Sequence, residues 1–243
     1  MRVLAIETSE SVGSVAALAA GELLAELRLP PQQGSAQTLA LSLKTLLDRV
    51  RWRPNDVELV AVTIGPGSFT GLRVGVTAAK TFAYAAKAEV LGIDTLETIA
   101  AACPPEVHTL AVAMDAQRGQ VVTGAFRRGP TDWFLADGPW QLLDLDAWLA
   151  SLPTGTWVSG HVLRNVPSES LAGIHVLDSQ YWSPTAAALG RLAVHRFANG
   201  ERDDLWALAP RYFRRSAAEE KWQQAQRRPW ILGNSPKCPK LGE

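Results

Sequence analysis

Two apolar runs in this chain each end on an acid: "RVLAIE" closes at Glu7 and "TLAVAMD" closes at Asp115. The stretches downstream of the two acids are also alike. After the first come two strand-like stretches, "VGSVAALAA" and "GELLAELRL". A helical pattern over 35–50 comes next, with Leu39, Leu43, Leu46 and Leu47 at helical spacing, then the buried strand "ELVAVTIG". After the second come "QVVTGAF", "DWFLAD", the helix-like "LDLDAWLASL" and the strand "TWVSG". Set side by side, the halves place Glu7 opposite Asp115 and Gly65 near Gly160. The correspondence is short, but it constrains the fold strongly. A unit of three strands, a helix, a strand and a helix, present twice, makes an α/β chain of two lobes.

The length allows this, since 243 residues at 47% hydrophobic content can fill two cores. The expected boundaries are 1–104 for the first lobe, 105–213 for the second and 214–243 for a basic, partly disordered extension. The last helix of the second lobe, "SPTAAALGRLAVHRFANG", is placed to pack back on the first. Ser183 is its expected N-cap, Pro184 its first turn and Gly200 its stop. Lys+Arg and Asp+Glu both number 24, so no global field draws this chain to RNA or a membrane. The stretch from Arg211 to Arg228, with Tyr212, Trp222 and Trp230, is locally basic. It reads as an RNA contact or, more simply, as a solvated tail. Cys103 and Cys238 form no pair motif, which fits a reducing compartment. Glu7 breaks the N-terminal apolar stretch too early for a signal peptide, and no apolar run is long enough to span a bilayer. A soluble cytoplasmic protein is expected.

Between the halves lies "GPGSFTGLRVGVTAAKTFAYAA", residues 65–86. Its glycines look like a phosphate loop, but each template fails at a definite residue. A Walker loop needs lysine where Leu72 stands, a dinucleotide loop needs glycine where Thr70 stands, and a nucleophile elbow needs glycine where Pro66 stands. Ser68 therefore reads as a loop or cap serine. His108, His161, His175 and His195 have no metal-pair spacing. The residues left for a nucleotide cleft are Glu7, Thr8, Ser9, Gly65, Gly67, Ser68, Asp115 and Gly160. In such a cleft Glu7 and Asp115 would hold Mg²⁺ near phosphates; otherwise each caps the turn after its strand.

Projected as a helix, residues 71–87 put Arg73, Thr77, Lys80, Tyr84 and Lys87 on one thin wet stripe. Gly71, Gly75, Ala78, Phe82 and Ala86 lie opposite, with Leu72 and Ala79 on a flank. Glycine inside a helix costs up to ~1 kcal/mol against alanine, so Gly75 needs a reason. Either the face packs on the chain's own sheet, or it meets another subunit together with Leu39 and Leu43 of the preceding helix.

The segments "RVLAIETSESVGSVAAL", "TIGPGSFTGLRVGVTAAKTFAYA", "GIDTLET", "MDAQRGQVV" and "PRYFRRSAAEEKW" resemble the TsaB (YeaZ) family, bacterial subunits for making threonylcarbamoyladenosine in tRNA. The resemblance implies a two-lobed actin-like (ASKHA, ribonuclease H-like) fold. It implies no catalytic residues and no metal of the chain's own, unlike the TsaD catalytic partner whose metal-binding histidines the family lacks. It implies an activating subunit that dimerises with TsaD, works with the ATPase TsaE, meets tRNA only through the complex, and forms a homodimer in isolation. ATP or ADP with Mg²⁺ would sit in a degenerate cleft or at the TsaD interface. Two departures stand out: Ser35-Ala36-Gln37 replaces the family's histidine motif with Leu41 where a proline is usual, and Glu7 replaces a common Asp. The competing reading is a small actin-like kinase or ATPase that uses Glu7 and Asp115 with Mg-ATP.

Overall fold

The computed structural model describes residues 1–30 and 36–213. The expectations for Ser35, Cys238 and the extension 214–243 fall outside these residues. The first half runs β1 (Arg2–Glu7), β2 (Ser14–Ala19), β3 (Glu22–Arg28), α1 (Ala36–Val50), β4 (Leu59–Gly65), α2 (Phe69–Ala86), β5 (Glu89–Asp94) and α3 (Thr95–Ala101). The second runs β6 (Thr109–Asp115), β7 (Gln120–Arg128), β8 (Phe134–Ala136), β9 (Gln141–Asp144), α4 (Leu145–Ser151), β10 (Trp157–Ser159), β11 (His175–Val176) and α5 (Ala186–Ala198).

The two sheets repeat one plan. The first has the order β3-β2-β1-β4-β5, with β1 antiparallel to β2 and parallel to β4. The second has β11-β10-β6-β7-β8, with β6 antiparallel to β7 and parallel to β10. β8 and β9 lie along successive stretches of β7 and together stand where β3 stands in the first sheet. β1 and β6 are central, buried on both faces, which is why they read as continuous apolar runs. This is the actin-like architecture of two related α/β halves. The second copy departs from the first after its fourth strand. Where β4 leads into α2, β10 leads only into short 3₁₀ turns over His161–Asn165 and Ser168–Leu171. Pro167 and Gly173 punctuate that stretch and stop a longer helix.

The helices that end each half cross over. α5 lays Ala186, Leu189, Leu192 and Ala193 on the first sheet, against Val3, Ala5, Leu18 and Ile93. α3 sends Leu96, Ile99 and Ala100 to the second sheet, against Leu110, Val112 and Phe126. The Arg196–Glu97 ion pair joins the two helices. Each sheet thus borrows a helix from the other half. The cap of α5 is Thr185, whose Oγ1 accepts from Ala188 N at 3.1 Å, not Ser183. Ser183 is drawn away to Glu10. After α5 the chain wraps the β5 edge. Gly92 N–H donates to Asp203 Oδ2 at 2.8 Å. Leu205 and Leu208 then reach the opposite face of the first sheet, and Lys80 Nζ donates to the carbonyls of Trp206 and Leu208.

Candidate functional site

The glycine run sits where β1, β4 and this wrapping segment meet, and each glycine faces the chain's own atoms. A side chain at Gly65 would strike the Arg211 carbonyl; one at Gly67 would strike that of Ser9. A side chain at Gly71 would strike the Thr8 carbonyl, and one at Gly75 the Thr8 hydroxyl. Three of the four neighbours are carbonyl oxygens. A phosphate needs N–H donors and a positive field, and would be repelled here. Gly65 and Gly67 also hold φ of +127° and +155°, and the peptide between Gly65 and Pro66 is cis. Arg211 N–H donates to Ile64 O at 2.7 Å and Ser68 N–H to Ser9 O at 2.7 Å, which fastens both strands of chain over the loop. Ser68 caps α2, its Oγ accepting from Gly71 N at 3.2 Å.

The acids are separated by environment. Glu7 is wholly buried, and its Oε1 accepts from both the N–H and the hydroxyl of Ser9. Burial pushes its carboxyl up to about 8, the Ser9 hydrogen bonds opposing and the neighbouring Glu10 adding to the rise. Such a group keeps its proton at neutral pH and caps the turn after β1. Asp115 is exposed and accepts from Gln117 N at 2.7 Å, capping the turn into β7. Gly160 is pressed against the Ala113 carbonyl. Sequence reasoning missed two neighbours of this region. Glu10 spans to His161 and Ser183 in the second half. Asp94, raised to about 6 by burial and by Glu97, pairs with Arg211 at 3.0 Å. Arg211 and Tyr212 are thus committed to the fold, Tyr212 stacking on Phe69 beside Arg73.

The expected interface face of α2 is corrected by this packing. Leu72, Gly75, Ala79 and Ala86 are buried within this chain, as are Leu39 and Leu43 of α1, and Gly71 lies against Thr8. Ala78 and Phe82 are half-exposed. The outward surface of the two helices carries Leu41 and Tyr84, both 65% exposed, with Thr77 between charged Arg73 and Lys80. Trp206 is 71% exposed and meets Tyr84 edge-on. A separate hollow of about 500 Å³ lies over the second sheet beside Trp148, where the short α4 covers less than α1 does. It receives none of the predicted residues.

The chain is 28% identical to the tRNA threonylcarbamoyladenosine biosynthesis protein TsaB of Bacillus subtilis, over 93% of its own length and 100% of that protein. It is 27% identical to the TsaB of Escherichia coli, over 91% and 98%. The chain is thus similar, over nearly its whole length, to curated proteins of the TsaB (YeaZ) family. The crystal structure of YeaZ from Pseudomonas aeruginosa superposes with a TM-score of 0.75 at 24% identity, covering 87% of this chain and 99% of that one, and so shares the fold. The family profile for TsaD, tRNA N6-adenosine threonylcarbamoyltransferase, matches residues 31–136. That span takes in α1, the glycine run and the first strands of the second sheet. Among the described residues, no helix is long and apolar enough to cross a membrane.

Proposed function

We propose that this TsaB-like chain is a non-catalytic activating subunit for a TsaD-like catalytic partner that adds the threonylcarbamoyl group to the adenosine beside the anticodon of tRNA. One observation carries the reading: the glycine loop, which has the look of a phosphate loop in sequence, is lined by the chain's own carbonyls. The turn after β1, which packs on this loop, keeps its acid, Glu7, buried with its carboxyl raised to about 8. The loop supports α2, and α2 with α1 presents Leu41, Thr77, Ala78, Phe82 and Tyr84 outward. We assign the TsaD-like partner to that surface, which a second copy occupies when the chain is alone. ATP or ADP with Mg²⁺ then belongs to the partner or its interface, a TsaE-like ATPase joins the assembly, and tRNA is met through the complex in the cytoplasm.

The test is co-purification with the TsaD-like protein from the same genome. Parent chain should form a complex that gel filtration resolves; Leu41→Glu and Thr77→Arg, both at exposed positions, should weaken it at least about tenfold, a loss near 1.4 kcal/mol. Binding unchanged in both variants would reject the surface. Mg-ATP turnover by the isolated chain, abolished in Asp115→Ala, would replace this reading with the kinase or ATPase one.

A further inference from the structure

The loop after β1 reaches the second half of the molecule through one carboxylate. Glu10 lies in a loop, yet its side chain is only 10% exposed. Its Oε1 is 3.0 Å from His161 Nδ1, and its Oε2 accepts from Ser183 Oγ at 2.9 Å. Arg164 Nη2 donates to the same Ser183 Oγ at 2.7 Å, while its Nη1 stands 3.9 Å from Glu10. The carboxylate from the first half is therefore received by the turn after β10 and by the residue two before the α5 cap.

The proton on the imidazole can be placed. Asp115 N–H donates to His161 Nε2 at 3.2 Å. A ring nitrogen that accepts carries no hydrogen, so in the neutral ring the proton sits on Nδ1 and faces Glu10. One tautomer serves both neighbours. The Nδ1–Oε1 pair is close, but its angles fall short of a regular hydrogen bond, so the Ser183 bond is the better-formed arm.

The same loop has a second engagement on its other side. Ser68 N–H donates to Ser9 O, and Thr8 Oγ1 donates to Gly71 O at 2.8 Å. Gly67, Gly71 and Gly75 leave no slack around Thr8 and Ser9. Residues 8–10 thus touch the first turns of α2 with their backbone and the Thr8 hydroxyl, and the second half with Glu10.

We propose that Glu10 is a latch, held by hydrogen bonding to Ser183 rather than by charge, which ties the two halves together and, through Thr8 and Ser9, holds the start of α2 in place. Hydrogen exchange followed by mass spectrometry on the full chain tests it. In Glu10→Ala, exchange should quicken at least about tenfold in peptides covering 8–13, 160–165 and 69–75, and stay unchanged in 186–198. Glu10→Gln should stay within about twofold of the parent, because its amide oxygen can accept from a neutral Nδ1–H and its NH₂ can donate to Ser183. Ser183→Ala, a milder change, should loosen the same three segments by less, and keeps the test open if the alanine at position 10 does not fold. Loosening confined to 8–13 in both alanine variants would overturn the latch. A glutamine variant as loose as the alanine one would overturn it too, since the hold would then be an ion pair with Arg164 or His161.

Discussion

Replacing Glu7 by glutamine should stabilise the protein at neutral pH and leave it unchanged near pH 4. The carboxyl is wholly buried, and burial raises it from 4.5 to about 8. An unfolded chain ionises this group above pH 4.5, whereas the folded one keeps its proton until about pH 8. Across that window the native state binds more protons than the unfolded state. The group's contribution to stability is therefore full below pH 4.5 and is lost as pH rises through 8. At about 1.4 kcal/mol per pH unit, holding the proton costs about 3 kcal/mol at pH 7 and levels off near 5 kcal/mol above pH 8. Glutamine has the same shape and cannot ionise. Its oxygen can accept from the Ser9 N–H and hydroxyl as Oε1 does, and its NH₂ falls where Oε2 already lacks a hydrogen-bond partner. The orphan penalty is then similar in both proteins, about 1–3 kcal/mol each, and cancels in the difference. The expected gain is about 4 kcal/mol at pH 7.5, falling close to zero near pH 4.5. Urea unfolding followed by tryptophan fluorescence at three pH values measures it, and the slopes of all other groups drop out of the comparison. A stability difference that does not vary with pH would refute the reasoning. So would a glutamine variant less stable than the parent at pH 7.5, because Glu7 would then be ionised and favourably engaged.

The packing sets two further outcomes. Gly75→Ala should destabilise by about 1–3 kcal/mol despite alanine's better helix propensity, because the new methyl meets Thr8 Oγ1; Thr8→Ala in the same chain should recover most of the loss, as thermal unfolding of the single and double variants would show. Cys103 is buried with its thiol pushed up to about 12, so iodoacetamide at pH 8 should leave its peptide unmodified in the native protein and label it in urea.

Much of the fold was legible because it rests on local pattern. β1 and β6 are apolar from end to end since both faces are covered, and the acid at each end marks where the sheet stops. The α2 face of Gly71 and Gly75 was legible as small, since that needs only helical geometry. What lies on it was not, because Thr8 is distant in sequence, 63 residues before Gly71, and a wheel projection carries no partner. The cap of α5 was misjudged for a similar reason. Ser183 and Thr185 flank Pro184, and proline at a first turn favours the earlier hydroxyl. A distant carboxylate, Glu10, takes that hydroxyl instead. The wrapping segment 203–212 gave no periodic signal, because Leu205 and Leu208 dock without forming a regular element. Its Arg211 and Tyr212 looked like nucleic-acid contacts only while Asp94 and Phe69 were unknown as neighbours.

The sign of the field is the deeper limit. A row of glycines reports that something approaches the backbone closely, and both a phosphate and a carbonyl require it. The two make opposite electrostatic demands. A phosphate loop turns N–H groups inward, while Gly65, Gly67 and Gly71 face the oxygens of Arg211, Ser9 and Thr8. Composition cannot separate these cases, because main-chain groups carry the distinction. The one side-chain clue is Glu7. A carboxylate buried beside phosphates would be held by a cation, whereas here it turns back on Ser9 and keeps its proton. The loop and its acid therefore agree: both are built to be filled from within.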